Sequence, residues 1–223
     1  MCVDGCKGGI SLNKQVYQYI EKFYKDRPAL FMEMEEYADT HHVPIMELDG
    51  MEALLQLLRI QQPLKILEVG TAIGYSALRM ADALPDAHIV SIDRDKQRLD
   101  QAKMFIEKFG KTKQVATLYG DALEMKEDVS LHGPFDAIFI DAAKSQYGRF
   151  FELYTPLLSQ NGVVYTDNVL FKGLIAEEEP DVSRNVKQLL RKIDHYNDWL
   201  MNNKEFQTVI LPVGDGLAIS KKR

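Results

Sequence analysis

Cysteine is nearly missing from this chain of 223 residues: Cys2 and Cys6 are the only two. A C-x3-C pair without further Cys or His ligands does not make a zinc site. Long apolar runs are missing as well. No stretch reaches the roughly 18 consecutive apolar residues of a membrane span, and the first residues lack a signal-peptide core. The expectation is a cytoplasmic protein with no membrane partner. Positive charge is not in excess either, with a net charge of −6 and a pI near 5.4. That argues against a broadly basic nucleic-acid-binding surface and leaves room only for a local basic patch. Repeats and low-complexity segments are absent. What is present is 46% hydrophobic residues, enough for one well-cored domain and short for two.

Residues 1–12, glycine-rich and without apolar periodicity, read as a flexible extension ahead of a single domain over 13–223. Helical spacing predicts helices over 13–24, 28–38 and 52–60. Strands and helices then alternate. Strands are predicted at 65–69, 88–93, 115–118, 135–141 and 163–167, with helices at 76–84, 95–109, 123–129 and 147–158 between them. A long helix over 182–202 follows, and the runs 206–211 and 216–220, joined by Pro212-Val-Gly-Asp-Gly216, read as a closing antiparallel hairpin. The fold class is α/β, a doubly wound, Rossmann-like sheet, mostly parallel, with an antiparallel C-terminal strand.

The stretch Lys65-Ile-Leu-Glu-Val-Gly-Thr-Ala-Ile-Gly-Tyr-Ser is a strand, a glycine turn and a helix start, the layout that brings backbone N–H groups to a ligand. Glu68 is an isolated carboxylate in that apolar strand and requires hydrogen-bond donors. In an open parallel sheet, ligands bind outside the carboxyl ends of the strands. Polar residues collect at those ends: Glu68 and Gly70, Asp93, Gly120-Asp121-Ala122, Asp141, and Asp167-Asn168. Asp93 lies at the distance from Gly70 at which an acidic side chain meets ribose hydroxyls. The glycines are spaced G-x3-G, not the G-x-G-x-x-G that admits a pyrophosphate, so NAD is disfavoured. A ribose-bearing cofactor without a diphosphate, S-adenosylmethionine, fits better. Asp141, Asp167 and Asn168 offer hard oxygen ligands, suited to Mg²⁺, with Ca²⁺ or Mn²⁺ as alternatives. Lys144, three residues after Asp141, is a candidate general base.

Five motifs together resemble the cation-dependent O-methyltransferase family of catechol and caffeoyl-CoA O-methyltransferases: residues 68–76, Ser-Ile-Asp at 91–93, Gly-Asp-Ala at 120–122, Ile-Asp-Ala-Ala-Lys at 140–144 and Thr-Asp-Asn at 166–168. Leu-Asp-Gly-Met-Glu-Ala-Leu-Leu at 48–55 looks most like the Bacillus-type members that methylate 5-hydroxyuridine at the tRNA wobble position. The resemblance implies that Glu68, Gly70, Thr71 and Ser76 hold the methionine and ribose parts of the cofactor. By it, Asp93 binds the ribose hydroxyls, Ala122 meets the adenine through its backbone, and Met46 closes over the cofactor. Asp141, Asp167 and Asn168 would ligate the metal, placing Asp141 beside the cofactor too, and Lys144 would act as base. Ala142 stands where catechol-type members carry a larger side chain, which argues against a small catechol. The implied partners are tRNA as substrate, with a small phenol or catechol as alternative, and a second copy in a homodimer. Lys14, Lys22, Lys25, Arg27, Arg149, Lys172 and Arg184 are candidate phosphate contacts.

Overall fold

Seven strands lie side by side in the order β3-β2-β1-β4-β5-β7-β6. This computed structural model describes residues 9–223. The strands are β1 (Lys65–Val69), β2 (His88–Asp93), β3 (Val115–Tyr119), β4 (Phe135–Ile140), β5 (Leu158–Thr166), β6 (Phe206–Leu211) and β7 (Leu217–Lys222). The first five pair in parallel, and β7 runs antiparallel to both β5 and β6. Residues 66–69 of β1 and 137–140 of β4 are buried throughout, as a strand covered on both faces requires.

Eight α-helices complete the described chain: α1 (Gly9–Glu21), α2 (Ala29–Thr40), α3 (Leu48–Gln61), α4 (Tyr75–Ala83), α5 (Lys96–Lys108), α6 (Lys126–Ser130), α7 (Tyr147–Tyr154) and α8 (Arg184–Met201). One core packs Phe31 and Met34 of α2, Leu54 and Leu58 of α3, and Leu78 of α4 against Ile66, Ile89 and Phe139. The other packs Phe150, Phe151 and Tyr154 of α7 and Tyr196 and Leu200 of α8 against Leu67, Ile92 and Ile138. Alternate residues of the same strands thus serve opposite cores. No helix among the described residues is long and apolar enough to cross a membrane.

Several boundaries differ from the sequence reading, among them α3, which begins at Leu48 rather than 52, and three have a clear physical reason. Helix α1 starts at Gly9, within the expected extension; a glycine is tolerated at a helix start, where its N–H lacks an intrahelical partner anyway. Cys2 and Cys6 lie outside the described residues. Asn161-Gly162, a turn-forming pair between the expected helix over 147–158 and the expected strand over 163–167, lies inside β5, which begins at Leu158. The pairing jumps from Phe135↔Leu158 to Ala137↔Val163, so the turn residues form an irregularity within the strand. The expected helix over 147–158 is shorter, because Pro156 follows α7 in a single 3-10 turn and cannot continue an α-helix.

Candidate active site

The strand order reverses between β1 and β4, and beyond their carboxyl ends opens a cavity of about 820 Å³. This is where an α/β sheet of this kind takes its ligand. Backbone hydrogen bonds carry the ladder past the last strand residues: Gly70 N–H donates to Ile92 O at 2.9 Å, Asp141 N–H to Val69 O at 2.9 Å, and Asp167 N–H to Ile140 O at 3.1 Å. These bonds hold the strand-end residues at fixed heights along the edge.

Gly70 has φ +111, and a Cβ built on it would lie 2.0 Å from the carbonyl oxygen of Asp141. Only glycine permits this backbone-on-backbone approach. Gly74, φ +82, precedes α4 and packs against Ala102 of α5. Ala72, at φ +44, donates its N–H to Asp93 Oδ2 at 2.7 Å, while Asp95 N–H reaches Oδ1 at 2.8 Å. Each Asp93 oxygen keeps a lone pair for a further donor such as a hydroxyl.

Glu68 has no exposed surface, and its two oxygens accept from the hydroxyls of Ser76 and Ser91. Ser91 is its register partner on β2 and also pairs with Thr71 Oγ1 at 2.6 Å. Burial pushes the Glu68 carboxyl up to about 8, against the pull of the two serines. Unlike the other predicted cofactor residues, Glu68 does not line the cavity. Met46, Gly70, Thr71, Ser76, Asp93, Ala122 and Asp141 all do. Glu68 stands behind the turn and fixes Ser76 and Ser91. Ala122 is held in turn by Tyr154, whose hydroxyl donates to its carbonyl at 2.5 Å.

At the other end of the cavity, Asp141, Asp167, Asn168 and Lys144 converge. Asp167 is 1% exposed and its Oδ1 has no hydrogen-bond partner; Oδ2 accepts from Asn168 Nδ2 at 3.1 Å. Burial, then the Asp141 charge, push Asp167 up to about 8. Asp141 is raised too, by burial foremost, with Lys144 drawing it down and Asp215 adding to the rise. Lys144 Nζ donates to Asn168 Oδ1 at 2.5 Å. Asn168 adopts φ +59, a left-handed conformation that asparagine tolerates, and flanking bonds hold it: Tyr147 Oη to Asp167 O at 2.9 Å and Asn197 Nδ2 to Val169 O at 2.8 Å. Among the described residues no three His, Cys, Asp or Glu side chains form a metal-binding group. The oxygen set here is two carboxylates and one amide.

Sequence reasoning missed Asp215. It lies in the β6–β7 connector, lines the cavity, and takes the Lys172 N–H at 3.2 Å. The turn-rich connector located the bend and gave no sign that it faced the site. Phe171 and Lys172, in the 3-10 segment Phe171–Ala176, also line the cavity. Of the proposed phosphate contacts, Lys22, Lys25, Arg149, Lys172 and Arg184 are exposed. Arg27 is committed to Glu35 through two bonds, at 2.6 and 2.8 Å. The Lys14 side chain lies outside the described residues.

A family described as O-methyltransferase matches residues 21–223. The caffeoyl-CoA O-methyltransferase of Stellaria longipes is 26% identical over 223 residues, 96% of this chain and 92% of its own. The enzyme of that name from Petroselinum crispum is 29% identical over 217 residues, 93% of this chain and 90% of its own. A solved structure from Staphylococcus aureus, provisionally assigned as a caffeoyl-CoA O-methyltransferase, is 38% identical with a TM-score of 0.86, covering 96% of this chain and all of that one. The SAH-bound Podospora anserina methyltransferase PaMTH1 shares the fold, at 24% identity and a TM-score of 0.83 over 100% of this chain and 99% of its own. The chain belongs to the O-methyltransferase family, among the S-adenosylmethionine-dependent enzymes that resemble the caffeoyl-CoA O-methyltransferases.

Proposed function

We propose that this protein transfers the methyl group of S-adenosylmethionine to the 5-hydroxyl of 5-hydroxyuridine at the tRNA wobble position, with a divalent cation as cofactor. One observation carries the acceptor chemistry: the buried Asp167 Oδ1 without a partner, beside a second carboxylate and an amide oxygen. Two carboxylates under mutual repulsion and an orphaned oxygen fit a hard dication, Mg²⁺ foremost, with Ca²⁺ or Mn²⁺ as alternatives. Asp141, Asp167 and Asn168 would hold it. When bound, the sulfonium supplies an electrophilic methyl carbon and the cation supplies a Lewis acid that acidifies a hydroxyl.

The chain's own residues do the remainder. Gly70 and Thr71 bring the turn's backbone to the ligand, Asp93 receives the ribose hydroxyls, and Met46 shuts water out from above. Ala122 borders the adenine. Lys144 Nζ takes the hydroxyl proton, oriented by Asn168 Oδ1. Most of the acceleration on this reading comes from placement and charge rather than covalent chemistry.

A chelating acceptor needs two adjacent oxygens, and the 5-hydroxyl and 4-carbonyl of 5-hydroxyuridine provide them. Exposed Lys172, which lines the cavity, and exposed Arg149, next to the lining residue Phe150, support a phosphate-bearing substrate. A second reading, a small phenol or catechol, is favoured by Glu47 and Asp215, two acids lining the same cavity that would repel phosphates. Incubating the protein with S-adenosylmethionine, Mg²⁺ and tRNA carrying 5-hydroxyuridine, then measuring nucleosides by mass spectrometry, decides between them. Formation of 5-methoxyuridine is expected. Turnover of catechols with none of tRNA would replace the first reading by the second. We also read the exposed apolar residues of α1, Val16, Tyr17, Tyr19 and Ile20, as covered by a second copy in a homodimer, to be checked by light scattering.

A further inference from the structure

One buried cation ties the cofactor turn to the helices on either side of the cavity's outer strap. Arg79, on α4, is 6% exposed, and a charge so placed needs partners. Its Nη1 donates to Tyr75 Oη at 2.8 Å, and its Nη2 to Glu52 Oε1 of α3 at 2.5 Å. The guanidinium also lies over the rings of Phe31 and Tyr75, 5.2 and 5.6 Å from their centres. Tyr75 Oη donates in turn to Glu35 Oε1 of α2 at 2.6 Å. Burial raises Glu35, and the bonds from Arg27 and Tyr75 outweigh it, so its carboxyl sits below the usual range and remains an anion.

Both helices are therefore tied to one side chain: α2 through Phe31 directly and through Glu35 by way of Tyr75, α3 through Glu52. The strap between them, residues 41–47, brings Pro44, Ile45, Met46 and Glu47 to the cavity. Its ends go where α2 and α3 go. Tyr75 opens α4 directly after Gly74, so the same network is built onto the glycine turn.

We propose that Arg79 is a positioning residue for the cofactor: by pinning α2 and α3 to the first turn of α4, it holds the 41–47 strap, and Met46 with it, over the methyl donor. Arg79 does not line the cavity, although its partner Tyr75 does, and it acts through Tyr75 (with Glu35 beyond it), Phe31 and Glu52. An aliphatic residue could fill the same space by dispersion. A planar guanidinium adds fixed directions, serving a phenol and a carboxylate at once. The inference rests on the S-adenosylmethionine reading above.

The test uses the full chain, with S-adenosylhomocysteine as probe. Calorimetry gives its Kd, and hydrogen–deuterium exchange of the ligand-bound protein reports on residues 41–47. Glu52→Ala and Tyr75→Phe are expected to weaken binding roughly tenfold and to speed exchange in 41–47. Glu52→Gln, which leaves Arg79 an acceptor oxygen, should stay within about twofold of the unaltered protein by the same reasoning. Unchanged affinity and exchange in either folded variant, Glu52→Ala or Tyr75→Phe, overturns the proposal. So does weakened binding with 41–47 exchange unaltered. Failure of the unaltered protein to bind the probe would overturn the cofactor reading instead, so the two failures are distinguishable.

Discussion

Glu68 and Asp167 are both carboxyls without meaningful exposure, both pushed up to about 8 with burial as the leading cause, and they sit in opposite circumstances. Both oxygens of Glu68 accept from serine hydroxyls supplied by β2 and α4. Asp167 has one oxygen with no partner and a second acid pressing on it. On the function proposed above, the donor half of the cavity is finished by the protein's own side chains, and the acceptor half, with Asp167 as a ligand-holding carboxyl, is not. Burial alone does not distinguish a scaffold carboxyl from a ligand-holding one. The hydrogen-bond accounts of the two oxygens do.

The largest expected effect lies on the unfinished side. Asp167→Ala or Asp141→Ala should lower turnover by about a thousandfold or more, with SAH affinity retained within a few fold. Substantial activity in Asp167→Ala would erase the contrast drawn here. Lys144→Ala comes next, with a loss of roughly a hundredfold or more in steady-state rate and little change in SAH affinity. On the finished side the damage should fall on the fold. Glu68→Ala strands two buried hydroxyls and should cost about 2–4 kcal/mol in denaturant unfolding, without altering the affinity for Mn²⁺. The smallest effect is a slope. Because the folded-state pKa of Glu68 is raised, its contribution to stability is fully present below about pH 4.5 and is lost as pH rises to about 8. Thermal melts of the cofactor-free protein across that window should show a shallower decline in Glu68→Gln than in the unaltered chain.

Much of this site was legible because buried parallel strands announce themselves as apolar runs ending in one polar residue. That placed Gly70, Asp93, Asp141 and Asp167-Asn168 on a single edge, and all of them line the cavity. Glu68 was visible as an anomaly. Ser76 reads as a cofactor contact and Ser91 as part of a motif, and neither is legible as a partner of Glu68, since one comes from a helix turn and the other from a neighbouring strand that only the fold brings together. Arg79 was illegible for the same reason. Within α4 it reads as an ordinary helical cation, and its partners, Glu52 and the ring of Phe31, lie 27 and 48 positions away. Asn161-Gly162 misled in the other direction, because a turn-forming pair can also be absorbed as an irregularity when the register between two strands shifts.

The contact between Gly70 and the Asp141 carbonyl sets a limit on how such an enzyme can diversify. New acceptors can be accommodated by exchanging Ala142, Ala143, Gln146, Phe171 or Lys172, which border the pocket without setting its span. The separation of the two half-sites is different, since it is fixed where two main chains touch. A side-chain exchange elsewhere leaves that contact in place, whereas adding one carbon at Gly70 would push the halves apart. The reach from sulfonium to acceptor oxygen is in that sense inherited with the fold, while the identity of the acceptor stays open to change.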